Sequence, residues 1–439
     1  MTENQVIKEI HVESLSHDGR GVAHIDGKTI FLENALPDEK VSFVYTRRHN
    51  KFDEAKVVEI LNPSPDRLIP KCPHFNICGG CSLQHLNHVK QLSFKTNSFQ
   101  EQMKHFGNLD AIKILPPIVG PVWGYRSRAR LSVKYVQKKQ KVLVGFHEKN
   151  GRYVADITEC PILHPTVGEK ILALSKLVEQ LSIYNQIPQV EIACGDDVTV
   201  LLFRHLQQFS DKDIDLLQKF GGEHNFQIYV QAGGVETVQP LVSNQEPIPL
   251  SYKLSAQNIE MIFSPVDFTQ INQNINQQMV AYVLELLELQ PSDKILDLFC
   301  GIGNFTLPIA TKCAEIVGVE GSKNAIVRAK QNAEHNKIKN AEFYCADLTK
   351  ELTALPWAQQ KYDKILLDPP RTGAQGICSQ IKKFGAQKII YISCNHATLA
   401  RDTKELVGNG YKLKSAKIVD MFPHTSHMEI ITSFVRKQN

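Results

Sequence analysis

Cys394 ends the apolar run KIIYIS and is followed by Asn395 and His396. A cysteine at a strand end is often small core packing, but its thiolate is a strong nucleophile when it faces a ligand pocket. Other apolar runs upstream also end in residues that could do chemistry. KILDLF leads into CGIGNFTLPIA, where Gly301 and Gly303 permit a tight turn and close backbone approach. AEIVGVE ends in Glu320, AEFYCADL reaches Asp347, and YDKILLD ends at Asp368 of DPPR. Glu320, nineteen residues beyond Gly301, can accept hydrogen bonds from ribose hydroxyls. The third glycine of a dinucleotide fingerprint is missing, since position 306 is Thr, and this disfavours NAD. A lone Gly-x-Gly would be weak; with three acidic strand ends in register it looks like an S-adenosylmethionine site.

A thiolate beside a methyl donor suits pyrimidine chemistry. C5 of uracil is too weak a nucleophile to take a methyl group unaided, whereas sulfur addition at C6 makes an enolate with electron density at C5. A proton must later leave C5, so a general base is needed within hydrogen-bonding reach. Glu429, in FPHTSHMEIITSF at the start of the last expected strand, is the candidate. Its other reading is a salt-bridged edge residue.

A second group of reactive residues lies upstream. Cys72, Cys78 and Cys81 fall within CPHFNICGGC, and Cys160 lies in TECPIL. Four thiolates can hold a structural zinc or an iron–sulfur cluster, and the Gly79-Gly80 pair lets backbone amides approach sulfur. Zinc usually takes two close Cys pairs; an isolated fourth cysteine leans toward [4Fe–4S], though spacing alone leaves both open. His74, His85 and His88 read as surface or neighbouring residues. Cys194, Cys313, Cys345 and Cys378 read as core.

These groups must be positioned by a multidomain globular chain. The 439 residues, 42% hydrophobic, exclude a small disulfide scaffold. No run approaches the ~18 to 20 apolar residues of a membrane helix, and the start lacks a secretion pattern, so a cytoplasmic location with reduced thiols is expected. Net charge is +4 but uneven: residues 1–60 carry eight Lys/Arg against eleven Asp/Glu, whereas residues 121–160 carry nine against three. Arg126, Arg128 and Arg130 recur at period two, which on a strand places all three on one face, a stripe suited to a phosphate backbone or simply to solvent. Residues 1–60 alternate short β-type runs with Gly turns, as a small closed barrel would, and Pro63, Pro65, Pro70 and Pro73 mark a linker. Helices are expected near 88–106 and 168–182, with strands over 125–147, 190–203 and 226–231. From about Ser264, alternating strands and helices imply a doubly wound parallel sheet.

The segment GRGVAHIDGKTIFLENALPDEKV resembles a TRAM domain, a small RNA-binding barrel, although its net negative charge is a departure. DLFCGIGNFTLPIA, LLDPPRTGA, YISCNHATLARD and DMFPHTSHMEI, with that start and the four cysteines, resemble the iron–sulfur 23S rRNA uracil-5-methyltransferases over nearly the whole chain. The resemblance implies Cys394 as nucleophile and Glu429 as base. It places Gln270, Phe299, Asn304, Glu320, Asp347 and Asp368 around S-adenosyl-L-methionine, and a [4Fe–4S] cluster on Cys72, Cys78, Cys81 and Cys160. Where the closest members have Asp-Pro-Ala, this chain has Asp368-Pro369-Pro370. The expected fold is an α/β methyltransferase, Rossmann-like, with an N-terminal OB-like TRAM barrel over 1–66, a central α+β iron–sulfur and RNA-binding domain over 67–262, and the methyltransferase domain over 263–439. The expected partner is 23S rRNA, met by flipping a uridine into the pocket, with Phe268 either an aromatic platform or core. A monomer without a membrane or obligate protein partner is expected. Competing readings are a tRNA uracil-5-methyltransferase and a non-catalytic RNA-binding or ribosome-assembly protein. A radical methylthiotransferase is disfavoured because CxxxCxxC is absent, and an amino-group methyltransferase because Arg371 replaces an aromatic residue.

Overall fold

The computed structural model describes residues 8–107, 112–149, 151–242, 247–350 and 355–437. The chain forms two compact units: residues 1–98 with 147–152 and 422–427, and residues 99–146 with 153–421 and 428–439.

In the first unit, alternating apolar residues build six strands, β1 (Lys8–His11), β2 (Ser14–Leu15), β3 (Gly21–Ile25), β4 (Lys28–Glu33), β5 (Lys40–Arg48) and β6 (Phe52–Asn62). They are hydrogen-bonded in the order β1-β5-β6-β4-β3-β2. Only Val12 and Glu13 separate β1 from β2, and their amides bond Glu39 O at 2.9 Å and Val22 O at 2.8 Å. One bent strand therefore pairs both margins and closes the expected barrel. Val12, Ala23, Ile30, Leu32, Val41, Phe43 and Ala55 fill it. At Gly21 a Cβ would stand 2.7 Å from Ala35 Cβ and 2.9 Å from Val12 Cγ1, so only glycine fits at this corner.

The barrel is tied to the proline-rich linker by a buried ion pair. Glu39, fully buried, accepts from Leu36 N at 2.8 Å, Ser64 N at 3.1 Å and Arg67 Nη2 at 2.8 Å. Helix α1 (His88–Gly107) follows, with Asn87 Oδ1 capping it through Lys90 N at 2.9 Å.

Residues 99–107 of α1 belong to the second unit, where Phe99 and Met103 join the core of the strands between Lys294 and Arg436. Strand β7 (Ile114–Ile118) comes next. A six-stranded sheet then has the order β13-β12-β11-β10-β8-β9, built from β8 (Arg128–Val136), β9 (Lys141–Gly145), β10 (Gln189–Cys194), β11 (Thr199–Arg204), β12 (Phe226–Gln231) and β13 (Gln239–Pro240). Its helices are α2 (Pro165–Gly168), α3 (Ile171–Gln180) and α4 (Asp211–His224). Helix α4 starts in a Ser210/Asp213 capping box and stops at Asn225, whose φ is +56°.

Strands β14 (Leu250–Leu254) and β15 (Ile259–Phe263) form a hairpin. The remaining chain runs α5 (Gln273–Leu287), β16 (Lys294–Leu298), α6 (Thr306–Ala310), β17 (Glu315–Glu320), α7 (Lys323–His335), β18 (Ala341–Cys345), β19 (Lys364–Leu367), α8 (Gln375–Cys378), β20 (Lys388–Ser393), α9 (His396–Gly408), β21 (Tyr411–Val419) and β22 (Glu429–Arg436). Its sheet has the order β18-β17-β16-β19-β20-β22-β21-β7. Strands β16 to β20 are mutually parallel, as their continuous apolar runs required. The order reverses between β16 and β19, which opens a crevice at their carboxyl ends. The eighth strand, ILPPI, was not foreseen; two prolines argue against a strand, but at a sheet edge neither need donate. The hairpin is held to α7 and the turn after it: Ile262 N and Glu260 N donate to Asn332 Oδ1 and Asn336 Oδ1, each at 2.9 Å.

Glu39→Ala removes the carboxylate from the part-buried Arg67 guanidinium, leaving it only the Asn34 carbonyl at 2.7 Å, and strips the Leu36 and Ser64 amides of their acceptor. It should destabilise the barrel by about 3–5 kcal/mol, read from urea unfolding against the parent protein.

Candidate active site

The site lies within the second unit, at the carboxyl ends of β16, β17, β19 and β20. After β16 the chain turns sharply: Phe299, Gly301 and Gly303 have φ of +66°, +55° and +95°. The turn is pinned because Phe299 N and Cys300 N both donate to Val319 O, at 2.8 and 3.2 Å, and Gly303 N donates to Cys300 O at 3.0 Å. Nothing lies within 4 Å of where a Cβ on Gly301 would be, so this backbone faces open space. Glu320 supports it, accepting from Gly301 N at 3.3 Å and Ser322 N at 2.9 Å.

Asn304 is locked by a reciprocal amide pair with Asn276 on α5, 2.9 Å in each direction, and by the Tyr252 hydroxyl, which donates to Asn304 Oδ1 at 2.8 Å. Neither Asn276 nor Tyr252 was found by motif reading. Periodicity marks both as buried and is silent about their partner.

Four carboxyls and a thiol gather here. Asp297, buried below the turn, accepts from Thr306 Oγ1 at 2.6 Å, while its Oδ1 has no partner. Burial, with Asp368 and Glu320 nearby, pushes its pKa up to about 7. Asp368 is pushed up to about 7 by burial and then by Glu320, and Glu429 to about 8 by burial and then by Asp368. Glu429 opens β22 opposite Val419, and its Oε2 is buried without a partner. Cys394 is half-buried; burial raises its thiol pKa, Glu429 and Asp368 add to this, and Arg371 opposes it. Cys394, Asp368 and Glu429 are therefore brought together as the motifs implied.

The connection holding the thiol is rigid. Asn395 caps α9 through Ala397 N at 3.0 Å and donates to Arg371 O at 3.0 Å, which ties the Cys394 turn to the DPPR loop. Asp402, fully buried on α9, accepts from Ala374 N and the Tyr391 hydroxyl, both at 2.6 Å. Asp347 follows Ala346, whose amide donates to Glu320 O at 3.0 Å; its carboxylate is half-exposed and bonded locally by Thr349 and Lys350, and Thr349 first, then Lys350, holds its pKa below the usual value. Gln270 is partly buried, just ahead of Ile271, whose carbonyl accepts from Ser127 N at 2.8 Å. Phe268 is 76% exposed, which rules out its core reading. An open turn, unsatisfied acceptors and buried carboxylates fit a nucleoside ligand that carries positive charge.

The arginine stripe is not a free phosphate-binding face. Arg126 Nε donates to Arg128 O at 2.9 Å, Arg128 Nη2 donates to Pro265 O at 2.5 Å, and Arg130 pairs with Glu191 at 3.2 Å. Only Arg130 is well exposed, because the strand's face packs on the 264–272 loop.

In the first unit, Gly79 holds the Cys72–Cys81 loop against residues 147–149: Gly79 N donates to His147 O at 2.8 Å, and Lys149 N to Ile77 O at 3.0 Å. A Cβ at Gly79 would lie 3.1 Å from His147 O. Gly80 N approaches Cys78 Sγ at 3.4 Å. The Lys149 ammonium lies 3.7 Å from the Phe75 ring centre and donates to Asn34 Oδ1 at 3.0 Å. Burial pulls its pKa down to about 8, against the charges of Glu33, Cys81, Cys78 and Cys72. Among the described residues, no three His, Cys, Asp or Glu side chains converge where a single metal ion would sit. Thiols with an amide on sulfur and an ammonium beside them are the donor chemistry of an iron–sulfur cluster. Cys160 is buried in the second unit, its amide donating to Gly168 O at 2.8 Å.

Asp297, Asp368 and Glu429 bind protons more tightly folded than unfolded, so between about pH 4 and 8 the folded state holds more protons and stability falls as pH rises. Thermal melts of the ligand-free protein should show Tm dropping from about pH 5 to pH 8, and Asp368→Asn should flatten that slope.

The family described as tRNA (uracil-5-)-methyltransferase matches residues 87–437, and a TRAM domain matches residues 3–43. The 23S rRNA (uracil(1939)-C(5))-methyltransferase of Nitrosococcus oceani is 49% identical over 437 residues, covering 98% of this chain and 96% of that protein. The protein of the same description from Francisella tularensis subsp. novicida is 47% identical over 434 residues, with coverages of 98% and 96%. Among solved structures, the tRNA (uracil-54, C5)-methyltransferase of Pyrococcus abyssi, crystallised with S-adenosyl-L-homocysteine, has a TM-score of 0.74 at 23% identity, over 98% of this chain and 100% of that one, a likeness of fold. By its matched length and by these identities, the chain belongs to the tRNA (uracil-5-)-methyltransferase family and carries a TRAM domain.

Proposed function

We propose that this protein methylates C5 of a uridine in 23S ribosomal RNA, using S-adenosyl-L-methionine and a covalent bond from Cys394 to C6. The observation that carries the reading is the placement of Asp368, Cys394 and Glu429 at neighbouring ends of the paired strands β19, β20 and β22. The names of relatives near half-identical over the full chain support the substrate and point to the nucleotide numbered 1939 in them.

Gln270, Phe299, Asn304, Glu320, Asp347 and Asp368 hold the cofactor, which supplies an electrophilic methyl group on a cationic sulfonium. Cys394 loses its proton to solvent through its exposed side and adds to C6 of a flipped uridine. After C5 takes the methyl group, the Glu429 carboxylate removes the C5 proton and the thiolate is expelled. Because Glu429 is held up to about pKa 8, adduct breakdown should accelerate as pH rises toward 8.

The functional division follows as barrel 1–66, central segment 67–262 and methyltransferase segment 263–439, acting as a cytoplasmic monomer. Cys72, Cys78, Cys81 and Cys160 bind a [4Fe–4S] cluster that shapes an RNA-contacting surface, since the methyl transfer itself is redox-neutral. No helix among the described residues is long and apolar enough to cross a membrane, in keeping with that location.

Transfer of labelled methyl groups to unmodified 23S rRNA and to tRNA, followed by nucleoside analysis, tests the reading. Label in 5-methyluridine from 23S rRNA supports it; label only in tRNA, the substrate named in the family's description, overturns the substrate. Cys394→Ala should abolish turnover. Glu429→Gln should lower it by about 10²–10⁴-fold and accumulate a methylated covalent RNA adduct on denaturing gels. Cys81→Ser should lose iron, sulfide and visible absorbance and weaken RNA binding; full RNA affinity without the cluster refutes its proposed role.

A further inference from the structure

Two buried hydrogen-bond donors near the cofactor turn have no acceptor. Arg128 Nη1 and Asn272 Nδ2 are both buried and unpartnered, although the other edge of each side chain is engaged. Arg128 Nη2 donates to Pro265 O at 2.5 Å, and Asn272 Oδ1 caps α5 through Ile275 N at 3.3 Å. Glu191 and Asp267 act on Arg128 by charge, but neither accepts a hydrogen bond from its Nη1. Asp267 accepts from Arg328 Nε at 3.0 Å and Ser264 N at 2.7 Å, and Glu191 takes Arg130 at 3.2 Å and Gln189 Nε2 at 2.7 Å. A guanidinium edge left dry in this way is strongly unfavourable unless a ligand completes it.

The two donors belong to one assembly. Ser127, next to Arg128, bonds Ile271 O through its amide at 2.8 Å and its hydroxyl at 3.0 Å, and Arg126 bridges Asn272. Asn272 stands one helical turn before Asn276, the residue paired with Asn304 of the cofactor turn. The same loop carries Phe268, a largely exposed aromatic face.

Resting on the proposed uracil chemistry, we infer that Arg128 and Asn272 form the acceptor-reading edge of the substrate pocket and that the Arg128 guanidinium receives the C4 oxygen of the flipped uracil. When the Cys394 sulfur bonds to C6, the C5=C6 pair shifts toward C4 and the carbonyl pair comes to rest on O4; no proton enters or leaves. Negative charge thus grows at the atom facing Arg128, where a preorganised donor acts most strongly. Cytosine presents an amino group at that position, donor against donor, so the same edge rejects it.

RNA of the target region carrying 5-fluorouridine traps the adduct, because fluorine cannot leave C5 as a cation. Absence of adduct with the parent protein refutes the proposed function itself. With the parent competent, Arg128→Met should slow adduct formation about 10²–10³-fold. RNA affinity by filter binding and cofactor affinity should each change less than threefold, and Arg128→Lys should recover at least tenfold. Asn272→Asp, which keeps the cap but exchanges the orphan donor for an acceptor, should also slow the adduct with an unchanged melting profile. An unchanged adduct rate in Arg128→Met overturns the inference. So does a loss of RNA affinity proportional to the loss of rate, which marks a phosphate contact.

Discussion

The structure turns on three buried carboxyls, Asp297, Asp368 and Glu429, and the half-buried Glu320, gathered at one end of a mixed sheet. Asp297, Glu320, Asp368 and Glu429 come from four different strands or their ends, and each of the buried ones feels a neighbour. Like charges in a desolvated site repel, and the structure can tolerate them only where its surroundings leave little freedom to relax. Here the surroundings are Leu296, Leu298, Val317, Val319, Ile365, Leu367 and Ile389, packed in one core directly beneath. The strained φ of Phe299 and the buried Asp402 belong to the same scheme, since both fix loops that carry the carboxyls.

That arrangement explains the poise of the nucleophile. Burial first, and then Glu429 and Asp368, push the Cys394 thiol pKa up, which disfavours the thiolate in the ligand-free protein. A cationic ligand placed among the same carboxyls would favour their charged forms and the thiolate alike.

Much of this was legible in the sequence because strand periodicity places residues on an edge. The continuous runs KILDL, EIVGVE and KIIYIS could only be strands of a buried parallel sheet, and whatever followed each had to lie at its carboxyl end. Cys394 and Asp368 were reachable in this way, whereas Glu429 opens an antiparallel strand and was singled out by the chemistry's need for a base and by family resemblance. The contacts between distant segments were not. ILPPI joins as an edge strand against its proline content, Tyr252 reaches Asn304 from a hairpin fifty-two residues away, and Arg128, the middle of the arginines at period two, turns inward onto a loop that no pattern announced. Those depend on tertiary pairing, which residue spacing does not encode.

Strand β22 lies between β20 and β21, although it follows both in the chain. A ribosome therefore releases the nucleophile's strand first and the base's strand after it, and β20 must keep an open edge until β22 arrives. During synthesis a long apolar strand is exposed for the time taken to add some forty residues, which invites pairing with the wrong chain. The same delay has a protective side. Until β22 is made, Cys394 has no Glu429 beside it in the sheet, so a chain that lacks this strand cannot complete the proposed turnover.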